Sequence, residues 1–408
     1  MNDESTATTS TNFCCLVIAV FAMDSSQSHR GAHRERRQNE RVDAGTDARM
    51  GARGKSWDAR AERAQDALTS AFGTRLRRGG LRNTAPWRLR QAFAFNYWWL
   101  AHAVEVRIDG FTRTGDPSHL ESARRLLHLL RRRNHGTLVN DYFDDMGWLA
   151  IALLRLHAVT GDHGLLDETV GLWEQIRRAG WNDTYGASVA WRRQQPDYKN
   201  APTNGVFALL SARLSAVTGD ARYSRAARDA LAWLETTLVD PATGIVADGV
   251  NRVGDGRRDT DWVFSYNQGL YIGALIEASA LPAEDALARA ERTAVSAIAL
   301  FAPTGVIRTE NSRLDQRGGG DIGLFKGVFL RYLGELIPRL PENSAGRSEL
   351  ERFVRTSTDA LWASIRRSPS LRAADDWSRP APRVTFLSTQ LSAVMALETR
   401  ARLERGGG

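Results

Sequence analysis

Twelve stretches of helical apolar spacing, a Thr-Gly-Asp phrase that recurs at their joints, and uneven unit lengths predict an all-α chain: six helical hairpins closed into an (α/α)6 toroid. Leu149, Leu153 and Leu156 recur at helical spacing, as do Leu165, Val170 and Trp173. Between these runs stands Thr160-Gly161-Asp162, and the same phrase occurs at Thr114-Gly115-Asp116 and Thr218-Gly219-Asp220. Glycine suits the left-handed position that ends a helix, and aspartate accepts from the free N–H groups that begin one. Each phrase therefore stops one helix and starts its antiparallel neighbour. Helices are expected near 57–76, 91–113, 116–133, 144–159, 162–178, 201–217, 220–238, 266–280, 283–301, 321–337, 346–366 and 383–404. Units of roughly 40 to 60 residues do not fit a solenoid of fixed period near 34. Closing the ring buries the end faces that an open array must cap.

The domain expected over 57–405 follows a leader, 1–56, expected to be disordered. From Asp24 to Ser56 the chain is rich in Ser, Gly, Arg and Gln, and too poor in apolar residues to offset its ordering entropy. The apolar run Phe13 to Met23 follows Asp3 and Glu4 with no Lys or Arg before it, which makes a poor signal peptide. A cytoplasmic location is favoured on this start, and a secreted one if translation begins elsewhere, with Met23 and Met50 as alternatives.

The 408 residues are 42% hydrophobic and 25% charged, and no apolar run approaches the roughly 20 residues of a membrane span. The net charge of +8 is spread along the chain without a nucleic-acid-binding motif, so no nucleic-acid partner is expected. Arginine supplies nearly all of the basic charge; lysine occurs only at Lys55, Lys199 and Lys326. The cysteines are the adjacent pair Cys14-Cys15, and the eight histidines form no HExxH arrangement. Neither a metal nor another cofactor is expected, and the chain is read as a monomer. The long joins 179–200 and 239–265 are rich in Gly, Asp, Asn, Trp and Tyr. On one face of a ring such loops line a central cleft, where polar and aromatic side chains suit sugars.

The strongest local feature is Asn140-Asp141-Tyr142-Phe143-Asp144-Asp145-Met146-Gly147-Trp148, which leads into an apolar helix. Acids at a helix start can be simple caps and dipole complements. These, however, open the fourth helix, and hairpin counting places even-numbered helices in the inner ring. Retaining glycosidases need two carboxyl groups about 5 to 5.5 Å apart, a spacing neighbouring residues can meet. Two carboxylates so close do not both ionise easily, so one keeps its proton while helix N–H groups hold the other as an anion.

Here the chain resembles glycoside hydrolase family 76, the endo-α-1,6-mannanase family, whose catalytic Asp-Asp pair lies in a Tyr-x-Asp-Asp-x-x-Trp context matched by Tyr142 to Trp148. Further matches follow in family order. They are Lys199-Asn200-Ala201 with Asn204-Gly205, then Tyr266-Asn267-Gln268-Gly269 with Ile272-Gly273-Ala274-Leu275, then Phe325-Lys326-Gly327 with Arg331-Tyr332. The resemblance covers most of residues 90–340. It implies a retaining hydrolase of α-1,6-mannosidic bonds in mannan or manno-oligosaccharides, with Asp144 as nucleophile and Asp145 as acid/base.

Candidate substrate-binding residues are Asp141, Trp98, Trp191, Asn204, Tyr266, Asn267, Gln268 and Lys326. Several have a structural alternative: tryptophans are usually buried, Tyr266-Asn267-Gln268 can be a helix cap with a packed tyrosine, and Lys326 can sit in an ion pair. One stretch departs from the family. Where members show a Gly-rich run ending in paired tryptophans, this chain has Tyr185 to Trp191 with a single Trp. Other readings of the toroid are an unsaturated uronyl hydrolase, a sugar epimerase or an inactive carbohydrate-binding scaffold.

Overall fold

A computed structural model of the chain describes residues 56–74, 80–279, 285–308, 310 and 320–406; the leader, apart from residue 56, lies outside them. Helix α1 spans 56–72, and α2 is a single turn, Leu89–Ala92. There follow α3 (Tyr97–Thr114), α4 (Pro117–Arg133), α5 (Phe143–Thr160), α6 (His163–Gly180), α7 (Ala201–Thr218) and α8 (Ala221–Thr237). The last five are α9 (Ser265–Ala278), α10 (Ala286–Phe301), α11 (Ile322–Leu336), α12 (Ala345–Ile365) and α13 (Leu387–Gly406). Apart from α2, these are the twelve helices expected from spacing.

The Thr-Gly-Asp joints follow from local chemistry. Gly115, Gly161 and Gly219 take φ of 72°, 70° and 71°, and Asp116, Asp162 and Asp220 accept from the N–H groups of Ser118, Gly164 and Arg222. Each threonine hydroxyl donates to the carbonyl four residues back, at 2.8, 2.8 and 2.7 Å.

The odd-numbered helices from α3 to α13 pack in succession, and α13 returns to α3, which closes an inner ring. They are buried nearly all round, as Met146 to Leu154 show in α5. The outer helices bury one stripe, such as Leu120, Ala123, Leu127 and Leu130 of α4. Glycines allow the inner helices to touch. A Cβ on Gly147 would meet Val206 at 2.5 Å, one on Gly269 the Phe329 backbone at 2.8 Å, and one on Gly327 the Ser392 backbone at 2.6 Å.

Ion pairs occupy the interior of the ring. Arg155 reaches Glu105 at 2.9 Å and Asp109 at 2.6 Å, and Arg331 reaches Asp109 at 2.7 Å.

The joins expected as loops carry strands. β2 (Trp181–Asn182), β3 (Ser188–Arg192), β4 (Gln195–Asn200) and β5 (Gly249–Val250) form an antiparallel sheet in that order. β1 (Thr84–Ala85) pairs with β6 (Thr385–Phe386), tying the first connector to the last. The two-residue strands are too short to alternate, and β3 and β4 lack the strict apolar–polar alternation that marks a strand in sequence. Among the described residues, no helix is long and apolar enough to cross a membrane, and no cluster of His, Cys, Asp and Glu could hold a metal ion.

Candidate active site

The inner helices all begin on one side of the ring, and there a cleft of about 750 Å³ opens. Trp98 of α3, Asp144, Asp145 and Trp148 of α5, Tyr266 of α9 and Phe325 of α11 line it. Helix starts carry partial positive charge, which favours carboxylates on this floor.

Asp144 and Asp145 occupy the first turn of α5. Tyr142, not an acid, stands at the cap position, and its side chain makes no cap hydrogen bond. The acids are thus spared for the cleft. One Asp144 oxygen accepts from the Trp191 indole at 3.1 Å, and the other from the Asp145 backbone N–H at 3.0 Å. Asp145 accepts from the Asn140 amide at 2.8 Å. Burial pushes Asp144 above the usual carboxylate range, even though hydrogen bonds from the Trp191 indole and from backbone N–H groups oppose the shift. Burial first, then the charges of Asp144 and Asp321, push Asp145 well above it.

Of the predicted substrate-binding residues, Trp98, Trp191 and Tyr266 line the cleft. Trp98 donates to Asp321 at 2.9 Å, and Tyr266 stacks on Phe325 at 3.9 Å and 5°. Asn267 lies just behind the wall, donating to Asp248 at 2.9 Å. The other four point elsewhere. Asp141 is exposed, accepting from Gln194 at 2.6 Å. Asn204 is fully committed to backbone, accepting from Val189 N–H at 2.9 Å and donating to the Val189 and Asn200 carbonyls at 2.9 and 3.0 Å. Gln268 clamps Val246 in the same way and also donates to the Phe264 carbonyl. Gln390 of α13 repeats the device on Ala373 N–H and the Leu371 carbonyl. All three are the fourth residue of their helix. Lys326 is buried and donates to the Asp375 and Ile307 carbonyls, because a buried ammonium needs acceptors on every side.

Lys199 is held similarly. Its ammonium donates to the carbonyls of Asn182, Gly186 and Ser188 at 2.7, 3.0 and 2.9 Å, and burial pushes it down to about 8. It fixes the turn that delivers β3, and with it Trp191, to Asp144.

Sequence reasoning missed two carboxylates in the cleft. Asp321 accepts both the Trp98 and Trp99 indoles at 2.9 Å on one oxygen. Asp248 accepts from Tyr198 at 2.9 Å and pairs with Arg252, whose guanidinium lies 4.7 Å from the Trp262 ring. The composition of 239–265 signalled this wall, but nothing singled out Asp248. Asp321, next to a helix start, reads in sequence as a cap.

A profile described as glycosyl hydrolase family 76 matches residues 56–404. The chain is 34% identical to the Lin0763 protein from Listeria innocua, covering 86% of this chain and 98% of that one with a TM-score of 0.80. It is also 34% identical to the GH76A alpha-1,6-mannanase from Salegentibacter sp. HEL1_6, covering 85% and 99% with a TM-score of 0.77. An inactive variant of that enzyme, with two consecutive aspartates replaced by asparagine, was solved in complex with alpha-1,6-mannotriose. The mannan endo-1,6-alpha-mannosidase DCW1 of Saccharomyces cerevisiae is 25% identical over 184 residues, 44% of this chain and 40% of that protein. The chain thus matches less than half the length of such curated relatives. With the toroid and its acidic cleft in place, the match along nearly the whole chain settles the family: this protein is a member of glycosyl hydrolase family 76.

Proposed function

We propose that the protein is a retaining α-mannanase that cleaves α-1,6-mannosidic bonds, with Asp144 as nucleophile and Asp145 as acid/base. The observation that carries the reading is the unequal environment of two adjacent acids in one cleft. Asp144 has two N–H donors that favour its anion. Asp145 has one, and burial first, then the charge of Asp144, work to keep its proton on. In the first step an Asp144 oxygen attacks the anomeric carbon as Asp145 protonates the departing glycosidic oxygen, leaving a mannosyl ester. In the second, Asp145 takes a proton from water, whose oxygen displaces Asp144 and restores the original anomer. The Salegentibacter mannanase, inactive when two consecutive aspartates are replaced, supports the pair and the substrate class. Trp98 and Tyr266 offer rings for pyranose faces, and the Asp321 carboxylate, whose two indole donors share one oxygen, offers an acceptor for a hydroxyl.

Asp144→Ala and Asp145→Ala should each lower the rate on α-1,6-mannan by about a thousandfold or more. NMR of the first product from the wild type should show the α anomer. Near-normal activity in either variant, or a β first product, rejects the assignment.

A further inference from the structure

The connector from α1 to α3 displays apolar side chains that the reaction does not use. Trp87, Leu89 and Phe93 are 50, 63 and 84% exposed. Arg88 and Arg90 alternate with them, exposed and without a side-chain partner. The backbone here is pinned. The Asn83 amide donates to the Gln91 and Ala94 carbonyls at 2.8 Å each, and Arg133 donates to the Ala94 carbonyl at 2.9 Å. A fixed turn therefore holds three large apolar groups in water.

Topology places the patch beside the cleft. Phe95, Asn96, Tyr97 and Trp98, which follow directly, line the cleft itself. Tyr185 and Val253, 42 and 78% exposed, stand in other connectors on the same side of the ring. Charge is equally one-sided: the described residues 80–96 contain three arginines and no acidic residue.

We propose that this edge of the cleft face docks on a lipid bilayer containing anionic headgroups. Trp and Phe suit the boundary between headgroups and acyl chains, Leu inserts, and arginines pair with lipid phosphates. A polyanionic glycan would satisfy the arginines but leave Leu89 and Phe93 in water. Docking this way brings the cleft to glycan tethered at a membrane, a consequence that rests on the mannanase reading, whereas the docking itself does not.

The test is co-sedimentation of the full chain with vesicles of phosphatidylglycerol and phosphatidylcholine in equal parts, and with phosphatidylcholine alone. The wild type should bind the anionic vesicles, more weakly as salt rises. Leu89→Asp with Phe93→Asp, and separately Arg88→Glu with Arg90→Glu, should each weaken partitioning by about tenfold or more. Both double variants should turn over soluble α-1,6-manno-oligosaccharides as the wild type does, and Asp144→Ala should bind vesicles normally. No wild-type binding, or equal binding by the double variants, overturns the proposal, as does loss of soluble-substrate turnover in them, which assigns the patch to the sugar path. The vesicle comparison decides the docking even if the chain proves inactive on mannan.

Discussion

Trp191 donates its indole N–H to the Asp144 oxygen left free by the Asp145 backbone. A hydrogen bond to an ionised group is worth about 1.5–3 kcal/mol, so Trp191→Phe should raise the pKa of Asp144, the proposed nucleophile. The acid limb of kcat/KM against pH should then move up by about one unit, with kcat reduced about tenfold. Asp145 gives a prediction about stability. A carboxyl whose folded pKa is raised costs the fold nothing below the unfolded value of about 4, and increasingly more as pH climbs toward the folded value. Asp145, pushed up by burial and by Asp144 and Asp321, is such a group. Asp145→Asn should raise Tm by a few degrees at pH 7 and leave it unchanged at pH 4, as read by thermal melts. Sequence could single out Asp144 and Asp145, which both line the cleft, because they are contiguous. Asp248 and Asp321 were not, because distant connectors bring them to the cleft. Asn204 and Gln268 misled because an amide that suits a sugar hydroxyl suits a peptide group equally well.

Four of the six inner helices, α5, α7, α9 and α11, each meet the next through a glycine near their start. Gly269→Ala would drive a methyl to 2.8 Å from the Phe329 Cα, a backbone atom that yields only if α11 moves. The expected cost is about 1–3 kcal/mol in chemical denaturation, with little change in m-value. Gly147, Gly205, Gly269 and Gly327 all lie inside the short strings that carry the family resemblance. Much of what made those strings recognisable is therefore the geometry of ring contacts. The helices themselves were readable because Thr-Gly-Asp joints encode stop and start locally. The sheet on the cleft wall was not, since its pairing is set by what α5 and α7 hold against it.

The whole ring shares an ionic interior. Burial pushes Glu105 and Asp109 up, but Arg331 and Arg155, joined at Glu105 by a hydrogen bond from His102, outweigh it and hold Asp109 below, and Glu105 well below, the ordinary range. Stability from such groups is present above the unfolded value of about 4 and is lost as pH falls through the folded one. Asp109→Asn leaves Arg155 and Arg331 short of a partner and should cost about 3–5 kcal/mol at pH 7. The gap to wild type should shrink below about pH 4, where the native protein loses the same contribution. The arrangement at the cleft is of another kind. Asn204, Gln268 and Gln390 grip the neighbouring connectors by peptide groups alone. A grip on main chain is indifferent to the side chains it carries. The ring is a chassis with standard fittings, and the wall segments between fittings can be rewritten for a new sugar without reworking the frame that holds the two acids.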